Sequence, residues 1–166
     1  MHLRLAFTII PILALAGCAV QPSAPPEPAL AVKLKGTAVE VQNFIEQHFR
    51  LHPELGYQIQ SETDRAIVLQ SDCNHVPDMN AFKCSLIMLG IANSEGKGPA
   101  TSWDGPFSVA TFRTAEIRGE VNVTANFQWC ASDSIGKTYC MPNGSVADSN
   151  NVLRKLTASY RKEVQP

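Results

Sequence analysis

The sequence predicts an α+β domain in two layers, an antiparallel sheet of about five strands with an N-terminal and a C-terminal helix packed on one face. Three observations predict it. Thr37 and Glu40 form an S/T-x-x-E pair, and Val41, Phe44, Ile45 and Phe49 follow at helical spacing. From Val121 to Cys130, Val121, Val123, Ala125, Phe127 and Trp129 alternate with Asn122, Thr124, Asn126, Gln128 and Cys130, which is the period of a strand with one dry face and one wet face. Near the end, Val152, Leu153, Leu156, Tyr160 and Val164 make a second apolar helical stripe, with Arg154, Lys155, Arg161 and Lys162 beside it.

Two segments precede that domain. Arg4 stands ahead of an apolar run of about a dozen residues, Leu5 to Ala16, which Pro11 interrupts. A bilayer core needs roughly 20 apolar residues, so the run is too short to span one. It ends in Leu15, Ala16, Gly17 and Cys18. These four residues resemble the lipobox of bacterial lipoprotein precursors. The resemblance implies that residues 1–17 are a cleaved signal peptide and that Cys18 becomes the lipidated first residue of the mature chain. Two or three acyl chains hold a protein far more firmly than one, at about 0.8 kcal/mol per buried methylene. Residue 19 is Ala rather than Asp, which by the same resemblance implies the outer membrane in preference to the inner one. Residues 18–36 contain Pro22, Pro25, Pro26 and Pro28 and read as a tether. At about 3 Å per residue it would reach roughly 50 Å. Residues 37–166 form the single domain.

Removing residues 1–17 leaves 149 residues with 13 basic and 15 acidic side chains. That balance, without a basic block, points away from nucleic acid. The remaining Cys73, Cys84, Cys130 and Cys140 are even in number, which in an exported chain predicts two disulfides. Of the three connectivities, Cys73 with Cys84 and Cys130 with Cys140 is favoured because each pair brackets a short polar loop. A zinc site on Cys73, His75 and Cys84 lacks the paired short cysteine intervals of structural zinc, so no metal and no cofactor are expected.

The first helix starts at the Thr37 cap and ends by Pro53. His48 and His52 lie four apart on it, but H-F-R-L-H lacks the glutamate of H-E-x-x-H, and a packed or half-exposed role is expected for His48. Tyr57 to Ser61 and Ala66 to Ser71 read as a hairpin across Glu62–Arg65. A loop from Ser71 to Lys83 leads into Cys84 to Ala92, apolar at nearly every position and therefore expected to be a strand covered on both faces or lying with one end against a helix. Residues 93–106 hold Gly96, Gly98, Pro99, Gly105 and Pro106 and read as a loop. Phe107 to Ala115 then pairs with Val121 to Cys130 through Arg118, Gly119 and Glu120. The wet row Asn122, Thr124, Asn126 and Gln128 is expected to be a solvated sheet face. Asp148 or Ser149 is expected to cap the last helix.

G-x-S-x-G and H-E-x-x-H are both missing, and Asp72, Asp78, Asp104 and Asp133 follow no pattern, so the chain is read as a non-enzyme. The expected function is a lipid-anchored binding or assembly module of the cell envelope that contacts an envelope protein. Trp103, in a Gly/Pro loop, and Tyr139, beside the second disulfide, are its candidate contacts. The alternative is an inhibitor or ligand-binding lipoprotein that uses a disulfide-stapled loop.

Overall fold

In a computed structural model the described residues are 29–94 and 103–164. The lipobox, Cys18 and most of the proline-rich segment lie outside them. The described chain forms six strands and three α-helices. In order they are β1 (Ala31–Lys35), α1 (Ala38–Leu51), β2 (Gln58–Thr63), β3 (Ala66–Asp72), α2 (Ala81–Ser94), β4 (Asp104–Ile117), β5 (Glu120–Ser132), β6 (Thr138–Pro142) and α3 (Val146–Val164). The α+β class and the terminal helices are as the sequence predicts.

The strands form one antiparallel sheet in the order β1-β5-β4-β3-β2, and β6 also pairs with β5. β4 runs along the length of β5. β1 and β6 share the other edge of β5, β1 on residues 120–124 and β6 on residues 128–132. The β4–β5 turn is tight because Arg118 and Gly119 both have positive φ, 55° and 78°. Positive φ at both central residues matches the twist of the flanking strands.

Both predicted helices follow their sequence signals. The Thr37 hydroxyl accepts from the Glu40 N–H at 3.2 Å, and the Glu40 carboxylate accepts from the Thr37 N–H at 2.8 Å, completing the capping box of α1. Val41, Phe44, Ile45 and Phe49 are buried. At α3 the cap is Ser145 rather than Asp148 or Ser149. Asp148 is its reciprocal partner, accepting from the Ser145 N–H at 2.8 Å while its own N–H donates to the Ser145 hydroxyl at 3.2 Å. Leu153, Leu156 and Tyr160 are buried as expected, whereas Val152 and Val164 are exposed.

Three expectations are corrected. Cys84 to Ala92 is not a strand; it lies within the 14-residue helix α2. A run that is apolar at nearly every position has no period to separate helix from strand, and its length then favours helix. Asn80 supplies the start, its side-chain oxygen accepting from the Lys83 N–H at 2.9 Å. Residues 31–35, read as tether, are β1, with Leu34 buried and Lys33 and Lys35 exposed. Alternation in Ala-Val-Lys-Leu-Lys is the strand signal, and the prolines just before it masked it. The segment between Cys130 and Cys140, read as a loop, contains the start of β6, which runs on to Pro142. One predicted strand is thus a helix, and two strands come from segments read as unstructured.

Alternation along β5 shows how the layers meet. Val121, Val123, Ala125 and Phe127 pack in one apolar cluster with α1, α3 and the inward residues of β1, β3 and β4. Trp129 and Ala131 continue the same face but belong to a second cluster, with Cys73, Cys84, Ile91 and Tyr139. All three helices therefore cover one face of the sheet, α1 and α3 at one end and α2 at the other. Between the clusters lie hydroxyls. Ser108 is fully buried, 2.7 Å from the Tyr57 hydroxyl, and it accepts from the Asn143 side-chain amide at 3.2 Å. Asn122, Thr124, Asn126 and Gln128 project from the opposite face, where no helix of the described residues lies over them.

Candidate functional site

Four of the predicted site residues, Cys73, Cys84, Trp103 and Tyr139, collect in the second cluster. Cys73 and Cys84 form one disulfide, and Cys130 and Cys140 form the other. Neither is the clamp on a free loop that the sequence suggests. The first joins the turn after β3 to helix α2, with both cysteines buried in the second cluster. The second links directly opposed residues of β5 and β6.

Tyr139 and Trp103 are brought together, their rings edge to face with centroids 5.6 Å apart. They are packed inward rather than displayed. Tyr139 is 8 % exposed and its hydroxyl donates to Asp133, while Trp103 is half-buried against the same cluster. Among the described residues, the Trp103 indole nitrogen is a buried donor without a hydrogen-bond partner.

The surface that sequence reasoning missed is the outer side of α2. Phe82, Leu86 and Leu89 recur at i, i+4 and i+7, on one side of the helix. They are 71 %, 52 % and 44 % exposed. Cys84, Ile91 and Ala92 face the core instead. The run from 84 to 92 does signal cover on two sides, but the described residues supply only one. Large apolar side chains grouped on one exposed face are a feature of surfaces that contact another body. Lys83 is the only charged residue of α2.

A second feature is the turn between β5 and β6. The Asp133 carboxylate accepts from the Ile135 and Lys137 N–H groups, at 3.2 and 2.9 Å, so the turn is held from within. Ile135, at its tip, is 84 % exposed.

At the C-terminal end of α1 the His48 and His52 rings lie tilted by 47° with centroids 4.7 Å apart, and His52 reaches Glu54 at 2.7 Å. Burial, then the neighbouring His52, hold the His48 imidazole below its ordinary value, against the opposing pull of Glu163 and Glu54. No group of three or more metal-binding side chains is formed among the described residues. No helix among them is long and apolar enough to cross a membrane.

No family model matches the chain, and no curated protein or solved structure matches it either.

Proposed function

We propose that the chain is a lipid-anchored lipoprotein of the cell envelope, held through Cys18, that acts as a non-catalytic binding or assembly module and docks a protein partner on the outer face of α2. The exposed row Phe82, Leu86 and Leu89 carries this reading. Interfacial helices that lie on lipid carry Lys and Arg along a polar face. The opposite side of α2 is instead packed into the domain core, and the helix has one cation, so an apolar protein surface is the better complement. The anchor rests on Leu15-Ala16-Gly17-Cys18, with the outer membrane favoured by Ala19.

The test is a photoreactive amino acid at position 86 in intact envelopes, compared with one at Thr124 on the opposite sheet face. A discrete protein adduct is expected from 86 only. It should vanish when Phe82 and Leu89 are both changed to Ser, which leaves the buried side of α2 intact. An adduct insensitive to those changes, or none at all, overturns the docking surface. Replacing Cys18 by Ser tests the anchor separately, by release from membranes.

The inhibitor reading retains one specific observation, the stapled β5–β6 turn with Ile135 at its tip. A photoreactive group at 135 distinguishes the two. Capture from 135, abolished by Ile135→Asp, would favour the inhibitor.

A further inference from the structure

The inner face of β5 is covered at both ends and open in the middle. Val121, Val123, Trp129 and Ala131 are all buried, but Phe127, which shares their face, is only half-covered. Phe127 lies at a cleft of about 420 Å³ between the end of α1 and α3 from Asp148 to Ser159. Phe49, Leu55, Tyr57, Val152 and Leu156 supply most of its apolar wall, and Asn143 and Lys155 are among its polar residues. Its size falls within the roughly 300–1,000 Å³ range of small-molecule sites. An apolar opening of this kind suits a hydrocarbon group better than a charged one.

The position of the chain's entry into the fold says which hydrocarbon. β1 runs antiparallel to β5 with Ala31 opposite Thr124, so the chain ahead of β1 comes from the direction of Ala125 to Phe127. The Leu30 N–H donates to the Asn150 side-chain oxygen at 2.7 Å. Asn150 is next to Ser149, which lines the cleft. The described chain thus begins beside the opening, and Cys18 lies only 11 residues before Ala29. Eleven residues span at most about 40 Å, and a cleft this close to the entry point is well within that reach.

We infer that the cleft seats one acyl chain of the lipid carried by Cys18 of the same molecule. The inference rests on the lipid-anchor reading but not on the α2 docking surface. One chain of the anchor is then held by the protein rather than by the bilayer, against Phe127, Phe49 and Leu156, and the open middle of the sheet is closed by it.

The experiment uses the full-length protein in cells supplied with a diazirine-bearing palmitate, irradiated, extracted and digested for mass spectrometry. The expected result is an intramolecular cross-link from the acyl group on Cys18 to peptides of residues 120–132 or 146–159. Val152→Trp fills the cleft from an exposed position and should abolish that cross-link while the acyl mass stays on Cys18. Ser159→Trp serves the same purpose if the first variant fails to fold. Cross-links from acylated Cys18 to bilayer lipid alone would overturn the inference and leave the anchor standing. So would cleft peptides labelled only by palmitate that is not attached to Cys18. A Cys18 without acyl mass would overturn both.

Discussion

Helices α1 and α3 are amphipathic and α2 is not, and the three are held differently. α1 turns Glu46 and Arg50 outward, paired at 2.7 Å, and α3 has exposed Arg154, Lys155, Arg161 and Lys162. Each starts on a reciprocal capping box and buries a single stripe. α2 presents Phe82, Leu86 and Leu89 outward, starts on Asn80 alone, and is tied down by the Cys73–Cys84 disulfide. A helix with a polar outer face is complete within its own chain. One that is apolar all round calls for cover on every side. The contrast sets two helices with polar outer faces apart from the one on which the proposed docking surface lies.

The sharpest way to break this comparison is to cut the tie. Changing Cys73 and Cys84 together to Ser should lower stability by about 2–3 kcal/mol, the loop-closure value for a short loop. Hydrogen exchange should then show α2 amides losing protection more than those of α1 and α3. Equal loss throughout would mean that the two apolar clusters unfold as one unit. A smaller effect is expected from the local signals of α3. Ser145→Ala removes one half of its capping box and should cost about 1 kcal/mol in denaturant unfolding, with cross-linking from position 86 unchanged.

The smallest effect concerns pH and belongs to α1. His48 has a folded-state pKa below its ordinary value of 6.5, because burial and then His52 disfavour its charged form and outweigh Glu163 and Glu54. Protonation therefore favours the unfolded chain. His48 has no effect on stability well above pH 6.5, and stability falls as the pH drops through 6.5 toward the folded-state value. The decrease in urea midpoint between about pH 7.5 and about pH 5.5 should be shallower in His48→Gln. An identical slope in both proteins would show that this histidine is not the titrating group.

Legibility in the sequence follows from the same contrast. α1, α3 and the β4–β5 pair each alternate between water and core, and that alternation is written in residue order. α2 carries no such record, because Phe82, Leu86 and Leu89 are as apolar as the Ile91 they oppose. The same ambiguity hid both its helical form and its surface. β1 was obscured by composition, since its Val32 and Leu34 follow directly on four prolines. The disulfide pairs were readable from spacing, but their setting was not. Spacing says which sulfurs can meet and nothing about whether they sit in a loop or a core. Trp103 and Tyr139 show the limit from the other side, because an aromatic residue near Gly and Pro reads alike whether it packs inward or outward.

The entry of the chain through β1 has a mechanical consequence. Any pull arriving from residues before 29 is applied first to a five-residue strand on the edge of the sheet. That strand is backed by the Tyr160 hydroxyl on the Lys35 carbonyl at 2.9 Å and by Asn150 on Leu30. Load is therefore shared between β5 and α3 at both ends of β1, while the outer face of α2, at the other end of the sheet, is left out of its path.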